Sequence, residues 1–390
     1  MAPPEIYISL VGVGLVGSQV LSFLLTPRLS TTFRLLTLTN SKKTILLRQE
    51  IPSSTTSDEL LTALSDPQSS LVEDTFAPSI ETLQEKLVML LKKERKTVVV
   101  VDVTANDSVG RSYTSFLSKG IDVVTANKIG YSSSYDLWKQ IQATQLKTDC
   151  GIAGFEATVA AGLPIIQTLR ELVLSGDEVV KVEGVLSGTL SYIFSNFSSV
   201  SDSSEHQEKF SEIVRVAKEK GYTEPNPLSD LTGSDVARKL CILTRLMSSS
   251  SSGLPELTEG YASVPTESLV TSLHHLTSAD EFMSSLPSVD AELEELRTNA
   301  AKVNKRLRYT GVIDVLSGKV KCGVEAYDVS HPFVSGLKGA ENMVVFQTKR
   351  YKEGAELVIK GPGAGAEVTA MGVCNDLVRI WERRGGRGGI

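Results

Sequence analysis

A short β-branched run, Ile6 to Val11, leads directly into Gly12-x-Gly14-x-x-Gly17 and then into an amphipathic segment carrying Val20, Leu21 and Leu24. Strand, glycine turn and helix in that order leave few folds open. The first glycine permits a tight turn, the second lets backbone approach a pyrophosphate, and the third lets helix pack on strand, with the helix N-terminus facing the phosphates. The spacing predicts a Rossmann-type doubly wound parallel sheet with a dinucleotide at its first turn. The second strand, Phe33 to Leu38, ends in Thr39, Asn40, Ser41, Lys42 and Lys43, where an NAD-preferring site carries an acidic residue for the ribose. Its absence fits NADP and leaves NAD open. Lys42 and Lys43 read equally well as a solvated turn.

Thr97 to Val103 is a continuous β-branched run suited to a buried parallel strand, and Thr104 follows where such a sheet meets its ligand. Leu83 to Lys93 and Ser112 to Lys119 read as helices, Asp122 to Thr125 as a strand, and Ser53 to Asp74 as a surface insertion. Lys128, just past the Asp122 strand, reads as a partner for an anion or as a surface loop lysine. These elements make residues 1–148 an NAD(P)-binding domain. A final helix, Glu367 to Arg383 within about 361–383, completes it, packing back through Val368, Met371, Val378 and Ile380. Residues 384–390, rich in glycine, read as a disordered tail.

Residues 149–345 form a second, α+β region, a candidate for substrate binding and catalysis. Phe155 to Pro164 is a small-residue loop with free carbonyls, and Glu156 can join them around a hard cation. The strand-like runs Leu307 to Val315, Lys319 to Ala326 and Met343 to Thr348, joined by glycine turns, predict a mixed sheet. Ile213 to Lys220 reads as a helix with Gly221 as its C-cap. Pro225 and Pro227 exclude a helix after it, so Glu224 and Asp230 fall on a shaped loop. Thr232 reads as an N-cap with Asp235 as its capping-box partner, which sets Asp235 and Lys239 on one helix face. In isolation that pair is an exposed ion pair; beside a dinucleotide fold it is a candidate acid/base.

The charge of −6 over 390 residues, without blocks of one sign, offers no footprint for nucleic acid or an acidic membrane surface. No apolar stretch approaches the roughly 20 residues of a membrane span, and the N-terminus lacks the basic region of a signal peptide, so the cytoplasm is expected. Cys150, Cys241, Cys322 and Cys374 are far apart, without metal-ligand spacing or a context that makes a thiolate nucleophile. A semialdehyde dehydrogenase with a catalytic thiolate is therefore disfavoured. A cofactor-binding protein without catalysis would have no need of Glu224, Asp235 and Lys239. His274 and His275 point about 100° apart on a helix and have no third ligand.

VGVGLVG, DVTAND, TANK, FEATVAAGLP, GVLSGTLSYIF, GYTEP with DLTGSDVARK, GAENMVVFQTKRY and KGPGAGAEVTAMGV stand in order along the chain. Together they resemble homoserine dehydrogenase of the fungal, monofunctional type. The resemblance implies a homodimer that interconverts L-aspartate 4-semialdehyde and L-homoserine with NADP or NAD, on the route to threonine and methionine. It implies nucleotide contacts at Gly12, Val13, Gly14, Leu15, Val16 and Gly17, and at Thr104, Lys128 and Gly365. It implies a sodium ion held largely by main-chain oxygens of Glu156, Val159, Ala161 and Leu163, and substrate contacts at Gly221, Glu224, Asp230 and Asp235. Lys239 falls at the acid/base position, with Lys128 as the rival. The family's acidic pattern after the first proline is broken here by Asn226 and Ser229, and Val103 replaces a frequent asparagine.

Overall fold

The computed structural model describes residues 4–49, 51–66, 68–94, 96–200, 208–247 and 253–386, with the side chains of 92–94 excepted. Residues 387–390 of the expected tail, and the serine run 248–252, lie outside the described residues. The chain forms two compact units, one from Met1–Gly162 with Gly365–Ile390 and one from Leu163–Ala364.

The first unit is built on a seven-stranded sheet, β1 (Ile6–Val11), β2 (Phe33–Thr39), β3 (Thr44–Leu47), β4 (Val72–Phe76), β5 (Thr97–Asp102), β6 (Asp122–Thr125) and β7 (Ala153–Gly154), in the order β4-β3-β2-β1-β5-β6-β7. The five strands from β2 to β7 in that order, with β1 among them, run parallel. All of β1 but Tyr7 and all of β5 but Thr97 are buried, as a sheet covered on both faces requires. The edge is antiparallel: β3 turns back on β2, and β4 on β3. The stretch expected as a surface insertion thus supplies an edge strand and a helix, Ser57–Ala63, closed by a Thr56–Glu59 capping box and anchored by buried Leu60. Its polar composition hid a single buried stripe.

The last helix, Ala366–Arg383, packs on the first, Leu15–Leu24, within this unit. Its inward face is Ala370, Val373, Leu377 and Ile380, at helical spacing, in one core with Val20, Leu21 and Leu24. Of the residues expected on that face, only Ile380 is buried; Val378 is partly buried and Met371 exposed, because the stripe is centred one residue away. Arg384 then pairs with buried Asp122 of β6 at 2.5 Å.

The second unit has a five-stranded sheet of β8 (Val179–Val185), β9 (Lys305–Asp314), β10 (Lys319–Asp328), β11 (Glu341–Thr348) and β12 (Leu357–Pro362), ordered β10-β9-β8-β11-β12. Every pairing is antiparallel, so the sheet is not mixed as expected. The reason is the connections: β9 to β10 and β11 to β12 are hairpins, and tight turns join only antiparallel neighbours. Between Thr266 and Leu273 the chain makes a single 3₁₀ turn, Thr271–Leu273. The helices Gly188–Phe197 and Ser234–Met247 pack on this sheet and carry candidate site side chains.

Gly17 and Gly14 separate packing from openness. A Cβ on Gly17 would meet the Gly12 carbonyl oxygen at 2.1 Å, whereas one on Gly14 would meet nothing within 4 Å. Gly17→Ala is expected to cost about 1–3 kcal/mol and Gly14→Ala to leave the apo-protein's thermal midpoint nearly unchanged, as differential scanning fluorimetry of both variants will show.

Candidate active site

In the first unit the register of β1 against β5 pairs Val11 with Asp102, which brings the glycine turn and Thr104 side by side. Val103 donates its N–H to the Val11 carbonyl at 3.0 Å, and Gly12, at φ +94°, faces the Thr104 methyl. No side chain caps the helix Leu15–Leu24, so its first-turn N–H groups are presented at the same end of the sheet as Gly14. Val13 and Val16 pack on the core while Leu15 is 82% exposed. An uncapped helix start, an open Gly14 and a neighbouring threonine hydroxyl fit a dinucleotide pyrophosphate. At the end of β2, Asn40 Oδ1 accepts the N–H groups of Lys42 and Lys43 at 2.8 and 2.9 Å, so this turn carries amide and ammonium groups where a carboxylate would select a free ribose hydroxyl.

Asp102 was passed over by sequence reasoning and turns out to organise this end of the sheet. Fully buried, it accepts from the Thr104 N–H (2.8 Å) and hydroxyl (2.7 Å), from Tyr113 OH (2.6 Å) and from Asn127 Nδ2 (3.0 Å). Burial pushes its carboxyl up, and these donors pull it back. Asn127 in turn accepts from Ile129 N–H at 3.0 Å, so one carboxylate fixes both the Thr104 loop and the turn that carries half-buried Lys128. The only sequence signal was a carboxylate at the end of an otherwise apolar buried strand.

The loop after β7 begins with a 3₁₀ turn, Glu156–Thr158, and then places Ala160 and Ala161 both at φ +56°. Two consecutive non-glycine residues in the left-handed region are strained, which turns their carbonyls away from the usual course. Among the described residues no hydrogen bond reaches the carbonyl oxygens of Val159 and Ala161. The buried Glu156 carboxylate is held by Arg379 at 3.1 Å, and its N–H by Asp376 at 2.8 Å. Glu156 therefore anchors the loop to the last helix, and main-chain oxygens are what the loop offers a hard cation. Leu163 opens the second unit.

In the second unit the helix Phe210–Glu219 ends in a Schellman motif: Gly221, at φ +72°, donates to the Lys218 carbonyl and Tyr222 to that of Ala217. Asp230 is not on an irregular loop but in a one-turn helix, Leu228–Leu231, which follows Pro227 because a helix start tolerates a proline. Asn226 Oδ1 accepts the Leu228 N–H at 3.1 Å, and Ser229 donates to the Asn226 carbonyl at 2.9 Å. The two residues that replace acidic positions thus shape this turn. Asp230 accepts from Glu224 N–H at 2.9 Å and lies 3.1 Å from the Thr189 hydroxyl, so Gly221, Glu224 and Asp230 are gathered around the start of the helix Gly188–Phe197. Thr189 is a further candidate, signalled only by the small-residue turn Ser187-Gly188-Thr189.

Thr232 ends the one-turn helix and donates to the Ser229 carbonyl, while its hydroxyl also accepts the Ser234 N–H at 3.4 Å, so it meets the next helix from one position before Gly233. Gly233, at φ +74° and against Tyr309 OH, makes the turn into Ser234–Met247. The consequence for Lys239 is decisive. Its side chain is 8% exposed and that of Asp235 is 49% exposed, with Nζ 2.8 Å from Asp235 Oδ2 and donating to the Leu186 carbonyl at 2.6 Å. An amine this deep, with a carboxylate and a carbonyl among its partners, is not a surface ion pair. Lys239 and Asp235 belong to the second unit and Lys128 to the first.

Asp102→Asn keeps the shape and loses acceptor capacity for two obligatory donors. It is expected to cost about 1–3 kcal/mol of stability and to weaken NADPH binding severalfold, measured by thermal melts and by fluorescence titration of the cofactor.

Two family profiles match the chain: the homoserine dehydrogenase NAD-binding domain over residues 12–153 and homoserine dehydrogenase over residues 164–378. Homoserine dehydrogenase of Saccharomyces cerevisiae is 40% identical over 385 residues, covering 98% of this chain and all of that protein. That of Paracoccidioides brasiliensis is 39% identical with the same coverage. Among solved structures, a Candida auris protein described as of unknown function superposes with a TM-score of 0.83 at 35% identity, over 97% of this chain and 99% of that one. A hyperthermophilic archaeal homoserine dehydrogenase in complex with NADPH shares the fold, with a TM-score of 0.67 at 22% identity over 97% of this chain and 98% of that one. With both profiles matched in order and full-length relatives at this identity, the chain belongs to the homoserine dehydrogenase family.

Proposed function

We propose that this chain is a cytoplasmic, homodimeric, NAD(P)-dependent homoserine dehydrogenase that interconverts L-aspartate 4-semialdehyde and L-homoserine, with NADP preferred. The observation that carries the reading is the buried Lys239 amine beside Asp235, in the same unit as the Glu224 and Asp230 carboxylates. Gly12 to Gly17, Thr104, Lys128 and Gly365 hold the cofactor. When bound in reduced form it supplies a hydride to the aldehyde carbon. Negative charge then gathers on the carbonyl oxygen, where the Lys239 ammonium stabilises it and delivers a proton. Asp235, one turn earlier, orients that ammonium. Glu224 and Asp230 meet the α-ammonium group of the amino acid, and Gly221 lines the same end. The preference for NADP rests on the Asn40, Lys42 and Lys43 turn, and the sodium site on the main-chain oxygens of Glu156, Val159, Ala161 and Leu163.

The direct test is NADPH oxidation with aspartate semialdehyde, with and without sodium, for the native chain, Lys239→Met and Lys128→Ala. Lys239→Met is expected to fold and to lose about 10²–10⁴-fold in kcat. Intact turnover in Lys239→Met with loss in Lys128→Ala would transfer the acid/base role to Lys128, and a folded, cofactor-bound chain without turnover would make it a binding protein.

Asp230 generates a pH dependence. Burial pushes its carboxyl up to about 6; the Glu224 N–H and the Thr189 hydroxyl oppose this, and the Glu224 and Asp235 charges add to it. A raised carboxylate favours the protonated folded state, so any stability linked to it falls as pH rises through about 6. Binding runs the other way: below that pH the neutral acid no longer attracts an ammonium group. The KM for homoserine is expected to rise as pH falls from 7 to 5, and the rise to flatten in Asp230→Asn when initial rates are compared across that range.

A further inference from the structure

The last helix, Ala366–Arg383, keeps a glycine in its interior, where alanine is the better helix former. The reason lies in the loop after β7. A Cβ on Gly372 would stand 2.6 Å from the Ala161 carbonyl oxygen and 3.1 Å from the Gly162 Cα, so the helix admits that carbonyl to a distance only glycine allows. Gly162 fits the helix as closely: a Cβ there would lie 2.6 Å from both the Met371 Cε and the Val368 carbonyl oxygen. The start of the loop is fastened one and two turns further along, where Asp376 accepts the Glu156 N–H and Arg379 holds the Glu156 carboxylate.

Ala160 and Ala161, both at φ +56° without being glycine, keep that conformation only where their surroundings over-determine it. Gly372, Asp376 and Arg379 recur at helical spacing, so one rigid element meets the loop at both ends. The carbonyl oxygens of Val159 and Ala161, which no hydrogen bond reaches among the described residues, lie between those ends. Main-chain oxygens turned from their usual course are the donors a hard cation takes. We infer that the last helix is the template of the cation site, with Gly372 as its positioning residue: sodium held by the loop fastens residues 156–162 to the helix that completes the first unit. This rests on the sodium reading of the loop. Cation binding is then folding free energy for the first unit, because the site exists only while the helix is docked.

The experiment follows thermal midpoints of the native chain, Gly372→Ala and Val373→Ala through a sodium chloride titration, with choline chloride holding the ionic strength constant. The native midpoint is expected to rise with sodium. In Gly372→Ala the half-saturating sodium concentration is expected to rise about 10–100-fold, while the midpoint without sodium stays near the native one, since alanine favours the helix and the loop is free to withdraw. Val373→Ala loses core contact on the same helix, so it is expected to melt lower in both salts and to keep the native sodium response. Met371→Ala trims an exposed side chain at its contact with Gly162 and reports the same weakened sodium response if Gly372→Ala does not fold. Hydrogen exchange supplies a second readout: sodium is expected to slow amide exchange across Ala366–Arg383 in the native chain and not in Gly372→Ala. A native sodium response in whichever of Gly372→Ala and Met371→Ala folds overturns the inference and leaves the sodium reading standing. A native chain that melts and exchanges alike in sodium and in choline overturns both.

Discussion

A charge taken out of water must be met by partners, and that requirement shapes each unit of this protein. In the second unit the buried Lys239 amine is met by Asp235 and by the Leu186 carbonyl, which ties the helix Ser234–Met247 to the end of β8. The same unit buries Arg308, whose guanidinium donates to the carbonyls of Phe194, Ser198, Leu307 and Phe333, and burial lowers its pKa to about 10. Two of those carbonyls lie at the C-terminus of Gly188–Phe197, where a helix leaves its last acceptors unpaired. The helix whose start positions Thr189 is thus clamped at its far end.

The first unit solves the converse problem with a buried anion. Among the described residues the donors to Asp102 are neutral, and each of them belongs to a loop or helix at the ligand end of the sheet. A carboxylate in that position makes loop geometry a consequence of core electrostatics: Thr104 and the Asn127–Lys128 turn cannot shift without leaving a buried charge short of partners. The Glu156, Asp376 and Arg379 cluster does the same for the loop after β7.

Much of the architecture was legible along the chain. The glycine turn between a β-branched strand and an amphipathic helix, the buried runs of β1 and β5, and the later hairpins are local patterns with local causes. Several site residues were also legible as types at a spacing, above all Asp235 and Lys239 one helical turn apart. Less legible were features set by a neighbour distant in sequence. Thr232 looks like a cap, but Gly233 makes the turn because Tyr309 leaves room for no side chain there. The stripe on the last helix was misplaced because Met371 and Val368 are as apolar as Ala370 and Val373, and only contact with Leu15–Leu24 distinguishes them.

The sequence by itself determined the element types, the dinucleotide turn and the roster of carboxylates and amines, because spacing and backbone preference act within a few residues. Tertiary structure decided which of those groups lose their water. Lys239 and Asp235 share a helix face in any folded form of that segment, yet one is buried and the other half exposed, the amine reaching in to the Leu186 carbonyl just past β8. Burial, and with it the difference between a surface ion pair and a group able to move a proton, is a property of what packs against a residue.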